Sequence, residues 1–158
     1  MARIFDRQGR LRPSQLVTVA ERRFEDARAL CETGKNAHAN GAQYLCGFVV
    51  EMLLKAQLMR KYPVIAGKRP HERMSDDERG IWSLIYRSHD LDEMLGRLHE
   101  VQRVLERHGW RTGRAYLRHL REICSTWTIY ARYSPLTTNM SEARLMLDRV
   151  RELKEVLK

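Results

Sequence analysis

Apolar residues along most of this chain recur every three or four positions, and no stretch sustains an alternation of period two. That pattern constrains the fold more than any other feature. Side chains three and four apart share one face of an α-helix, whereas a half-buried strand needs strict alternation. The clearest run carries Ala42, Leu45, Val49, Met52, Ala56 and Met59. It predicts a long helix over 37–62, stopped by Pro63.

Punctuation residues divide the rest. Pro13 suits a first helical position, and Gly34 suits a C-terminal cap, so a first helix is expected over 13–33. A loop follows Pro63, spanning 63–75. Ser75 and Glu78 form a capping-box pattern, which opens a short helix to about Arg87. Ser88 reads as the cap of a third long helix ending near Gly109. Gly113 precedes a fourth, expected from Arg114 to Tyr133, with Pro135 beyond it. Asn139 and Glu142 repeat the capping-box pattern before a last helix to Lys158. The expectation is all-α: an antiparallel bundle of about five helices forming a single domain over 13–158, with 1–12 as a polar arm.

Composition agrees with a packed core. Hydrophobic residues make up 43% of the 158 and charged residues 31%, a globular balance. The most apolar stretch, Tyr44 to Leu54, is interrupted by Glu51 and followed by Lys55. It is too short and too charged to span a bilayer. No secretory pattern is visible at the start, where Met1 to Arg12 is basic and polar. Cys31, Cys46 and Cys124 make neither a metal-like pair nor an even framework. Reduced, buried thiols and a cytoplasmic location are therefore expected. The net charge of +9 permits a phosphate-bearing partner, although 23 of the 29 basic residues are arginine, a bias that base composition alone can produce.

Three segments resemble the HEPN family. Ala42-Gln43-Tyr44 leads into Gly47-Phe48-Val49-Val50-Glu51-Met52-Leu53-Leu54-Lys55-Ala56, similar to the family's helix in which a glutamate and two apolar residues precede Leu-Lys-Ala. Ser88-His89-Asp90-Leu91 resembles its His-Asp-Leu opening of the next helix. Tyr130-Ala131-Arg132-Tyr133-Ser134-Pro135 is similar to its Tyr-x-Arg-Tyr-Pro segment. The matches fall in the family's order and cover roughly 20–157. The resemblance implies a homodimer with a cleft between protomers. It also implies RNA cleavage, or RNA or nucleotide binding, in toxin–antitoxin or antiviral loci.

Catalytic members of that family carry Arg-x4–6-His. The pairing makes chemical sense: histidine exchanges a proton near neutral pH, and arginine stabilises charge on the phosphate. Arg132 stands at the matching place, but positions 137, 138 and 139 hold Thr137, Thr138 and Asn139. The ribonuclease histidine is absent there, and Tyr133 replaces the polar residue that often follows the arginine. Arg103 with His108, and Arg114 with His119, have the spacing elsewhere. With 23 arginines and six histidines, about two or three such spacings arise by chance. His89 and His119 remain the other candidates for proton transfer. The bland reading of His89-Asp90 is a polar helix start, and that of Glu51 and Lys55 is an i,i+4 pair on the helix surface, with partial burial at a dimer interface as the alternative because Phe48 shares their side.

One feature stands apart from the family. In a helical projection of the fourth helix, Leu117, Leu120, Cys124, Trp127 and Ala131 form a core stripe, and Arg114, Arg118, Arg121 and Arg132 form a second stripe about 110° away. From 103 to 121 there are six arginines and one acid, Glu106, interleaved with Trp110, Tyr116 and His119. Such a face binds phosphates and stacks bases, or else only keeps the chain soluble.

The preferred reading is a HEPN-like homodimer, non-catalytic or atypical. It would bind RNA or a nucleotide through Arg132, Tyr133, Arg111, Arg114, Arg118 and Arg121. A second reading is a metal-independent endoribonuclease that uses His89 or His119 with Arg132. A third is a regulatory partner of another protein, such as a nucleotidyltransferase encoded nearby. None of the three calls for a metal, a cofactor or a membrane.

Overall fold

A computed structural model of the chain describes residues 12–128 and 138–158. These residues are all-helical, with no strand among them. The elements are α1 (Pro13–Glu32), a 3-10 turn (Asn36–His38), α2 (Ala39–Lys61), α3 (Pro63–Ala66), α4 (Asp76–Tyr86), α5 (Leu91–Gly96), α6 (His99–Thr112), α7 (Tyr116–Thr126) and α8 (Met140–Leu157).

The long helix read from the sequence is the axis of the molecule. From Val49 to Ala56 every residue of α2 is buried, polar ones included. A helix apolar nearly all round must be covered on all sides, and α1, α4, α5 and α8 all pack on α2. The chain between α1 and α2 turns at Gly34, whose φ of +68° is left-handed backbone that favours glycine. α1 faces inward with Leu16, Ala20, Phe24, Ala27 and Cys31, a spacing of three and four. α8 does the same with Ala143, Leu147, Val150, Leu153 and Leu157. Burying each leucine contributes on the order of 1.5–3 kcal/mol. Lys154 of α8 pairs with Glu21 and sits 4.5 Å above the Phe24 ring. All three cysteines are buried free thiols.

Both capping boxes form as expected. Ser75 Oγ accepts from Glu78 N, and Asn139 Oδ1 accepts from Glu142 N. The helix count does not hold. There are eight α-helices among the described residues, because the expected third helix is split in two and α3 lies inside the expected loop.

The expected third helix is two, α5 and α6, broken at Arg97-Leu98. Tertiary partners make the break affordable. Lys61 Nζ donates to Arg97 O at 2.9 Å, and Gln102 Nε2 donates at 2.8 Å to Leu95 O, which also accepts from Leu98 N, so both carbonyls at the break gain a side-chain donor. Leu98 turns into the core. Asp90, rather than Ser88, caps α5 by accepting from Glu93 N, while Ser88 Oγ accepts from Asp90 N. α6 runs past Gly109 to Thr112.

The expected fourth helix starts after Arg114 and ends at Thr126. Trp127 takes an extended conformation (φ −83°, ψ 134°), and its indole fills a notch in α2. There Nε1 donates to Tyr44 O at 3.1 Å. A Cβ added at Gly47 would lie 2.0 Å from the indole, so only glycine fits. Where the description resumes, Thr138 N donates to Asn40 Oδ1 at 2.8 Å and Met140 N to Asn36 Oδ1 at 2.9 Å. Asn36, Asn40, Tyr44 and Gly47 are spaced by four, four and three. One face at the start of α2 therefore holds both Trp127 and the start of α8.

Candidate nucleic-acid interface

The arginine-rich region forms the α6–α7 corner. Gly109 and Gly113 make the corner tight. Gly113 has φ +66°, and a side chain at Gly109 would meet Arg114 O at 2.4 Å. The turn drives Tyr116 and Leu117 inward and leaves Trp110 90% exposed. A single exposed apolar side chain is ordinary on a protein surface; what distinguishes Trp110 is that it lines a groove together with Arg114 and Arg118.

Beside Trp110 lies an open groove of about 520 Å³, lined by Arg114, Tyr116, Leu117 and Arg118 among others. It shares Glu106, Leu117 and Arg118 with a second groove of about 760 Å³ between α5, α6 and α7. That groove shares Asp92 and Ser125 with a third, of about 550 Å³, which reaches His89. The three make one trough along the outer face of α7. Its length along α7 is about 16 Å, and the volumes fall in the range of ligand sites.

Four members of the projected core stripe, Leu117, Leu120, Cys124 and Trp127, are buried; the fifth, Ala131, lies outside the described residues. The arginine stripe is corrected in three ways. Arg114 precedes α7 and pairs with Glu152 of α8. Arg121 donates to Gln102 Oε1 at 3.0 Å. The helix ends before it could carry Arg132, so the alignment of Arg132 with Arg118 has no helical basis. Arg132 and Tyr133 themselves lie outside the described residues. Arg111 and Arg118 are exposed, with no ion pair to a described residue. Carboxylates also line the trough: Asp92, Glu106 and Glu122, of which Glu122 is paired with Arg149. The face is of mixed charge, which the arginine count alone conceals.

The histidines separate clearly. His119 is half-buried, and its pKa is lowered first by burial and then by Arg149 of α8. It lines none of the three grooves. His108 meets the Tyr116 ring at a tilt, with centroids 5.3 Å apart. His89 differs, because its Nδ1 lies 3.0 Å from Glu51 Oε1 while 40% of its side chain stays exposed at the rim of the trough. In the tautomer whose Nδ1–H donates to the carboxylate, Nε2 is the ring's acceptor.

Glu51 and Lys55 pair as the spacing suggests, at 2.7 Å, but in the interior rather than on the surface. Glu51 is fully buried, and Lys55 nearly so. Glu51 Oε1 thus serves both Lys55 and His89. Its second oxygen, Oε2, is buried with no hydrogen-bond partner among the described residues. A buried ion pair that reaches out to hold a half-exposed imidazole orients that ring. The period-3.6 pattern gave no sign of this, since it places Glu51 on an apolar helix without saying what covers it. Asp92 was equally unmarked in the sequence, whereas Trp110 already stood among the aromatics of the arginine-rich stretch.

No group of three or more histidine, cysteine or acidic side chains with metal-binding geometry occurs among the described residues. No described helix is long and apolar enough to cross a membrane. Comparison of the chain with protein-family models, with curated proteins and with solved structures finds no match in any of the three.

Proposed function

We propose that this chain is a HEPN-like protein that binds single-stranded RNA or a nucleotide along the α7 trough, as a homodimer in a defence or toxin–antitoxin setting. The observation that carries the binding is the bare indole of Trp110 on a groove that also presents Arg118. An aromatic face and a guanidinium with no ion pair to a described residue, both lining one groove, take a base and a phosphate. Arg111 adds charge at the corner. Arg132 and Tyr133 keep the phosphate-contact role that the family resemblance implies. The homodimer and the genomic setting rest on that resemblance alone.

Fluorescence anisotropy with a labelled RNA oligonucleotide tests this at low salt. Trp110→Ala is expected to weaken binding about tenfold or more. Arg118→Ala should weaken it and reduce the salt slope by about one contact. Absence of RNA binding by the wild-type chain at low salt overturns the reading. If Trp110→Ala instead changed only the assembly state, the indole would belong to a protein interface.

A second reading, metal-independent RNA cleavage, is favoured by the Glu51 contact that orients His89. In it His89 Nε2 takes the proton of a ribose 2′-hydroxyl. Cleavage in the presence of a chelator, lost in His89→Ala and in Arg132→Ala, would support it. Cleavage that His89→Ala leaves intact would exclude His89.

A further inference from the structure

The trough carries opposite charges that do not neutralise one another. In the 760 Å³ groove Arg121 is engaged by Gln102 and Glu122 by Arg149. Arg118 on α7 and Asp92 on α5 line the same groove, and neither has a hydrogen bond or ion pair to a described residue. A bare anion would suit Arg118 and be repelled by Asp92. A bare cation would meet the reverse. The groove suits a ligand that carries an anionic group and, a short way off, hydroxyl donors.

We propose that Asp92 is a ribose-recognising residue, accepting hydrogen bonds from sugar hydroxyls of a ribonucleotide whose phosphate lies at Arg118. This rests on the binding reading above and names which face of the ligand is read. The groove that holds Trp110 and the groove that holds Asp92 meet at Arg118, so a base on Trp110 and a phosphate at Arg118 bring the next ribose of the strand to Asp92. A carboxylate accepts from a ribose 2′-hydroxyl with good geometry, and that hydroxyl is what distinguishes RNA from DNA. The same carboxylate repels phosphate and so keeps the backbone from sliding towards α5. Asp92 is well placed to act without a structural duty. The cap of α5 is Asp90, and Asp92 is exposed in the first turn. Ser125, shared by the two grooves that Asp92 joins, adds a hydroxyl to the same wall.

The test measures binding of one oligonucleotide sequence as RNA, as DNA and as 2′-O-methyl RNA, with the wild-type protein and with Asp92→Ala, which removes the acceptor that Asp92→Asn would keep. The wild type should prefer RNA about fivefold over both other forms, the effect of one net hydrogen bond. Asp92→Ala should erase the preference while binding DNA at least as tightly as the wild type does, since a repulsive charge is gone. Equal wild-type affinity for all three forms overturns the assignment. So does a preference for RNA that survives in Asp92→Ala. Failure of every form to bind overturns the binding reading itself, an outcome distinct from either. Circular dichroism of Asp92→Ala should match the wild type; a changed fold overturns the claim that Asp92 has no structural duty.

Discussion

Glu51 concentrates the polar chemistry of the core in one atom. Its Oε1 accepts from Lys55 and His89, while Oε2 accepts from no described residue. Removing one partner of a buried pair leaves a charge without compensation, which costs far more than the pair contributes. Lys55→Ala is therefore expected to destabilise the chain by about 3–5 kcal/mol, read as a lower urea midpoint. The double variant Glu51→Leu/Lys55→Met should recover most of that loss, because apolar side chains replace both charges. His89→Ala should cost much less, since its ring already meets water. If Lys55→Ala were as mild as His89→Ala, the pair would be solvated rather than buried.

At the scale of elements, contacts between helices decide where helices stop. α7 ends because Trp127 leaves the helical path to enter the notch at Gly47. Gly47→Ala drives a methyl into the indole and should destabilise by about 1–3 kcal/mol. Gly80 offers the contrast. It lies inside α4, and an added Cβ meets nothing within 4 Å. Gly80→Ala should therefore stabilise by about 0.5–1 kcal/mol through helix propensity. Opposite shifts in Tm for the two substitutions check the notch directly. The break between α5 and α6 follows the same logic: Lys61 and Gln102 take up carbonyls that a continuous helix would have used itself.

For the whole molecule, net charge overstates the binding surface. The chain carries +9, yet its trough mixes two acids with no ion pair to a described residue, Asp92 and Glu106, with Arg118 and with arginines already engaged. Single-strand binding that used the whole net charge would show a salt slope of roughly −6. The trough predicts a shallower slope of about −1 to −3, from a few phosphate contacts. Anisotropy titrations between low and moderate salt measure it. A slope near −6 would mean that the ligand spreads beyond the trough over the general basic surface.

The sequence by itself determined what local physics determines. The three-and-four spacing along 42–59 marked the central helix, and the capping boxes at Ser75 and Asn139 fixed two helix starts, because those signals act within a turn or two of chain. The resemblance of the 130–135 segment drew attention to Arg132 and Tyr133, which fall outside the described residues. Only the tertiary structure decided the rest. No local signal says that Lys61 will satisfy Arg97 O, that Trp127 will end α7 against Gly47, or that Arg114 and Arg121 will be occupied while Arg118 is not. Each depends on a partner far along the chain. Glu51 is the sharpest case: its spacing from Lys55 predicts a pair, but only the helices packed around α2 make that pair buried and aim it at His89.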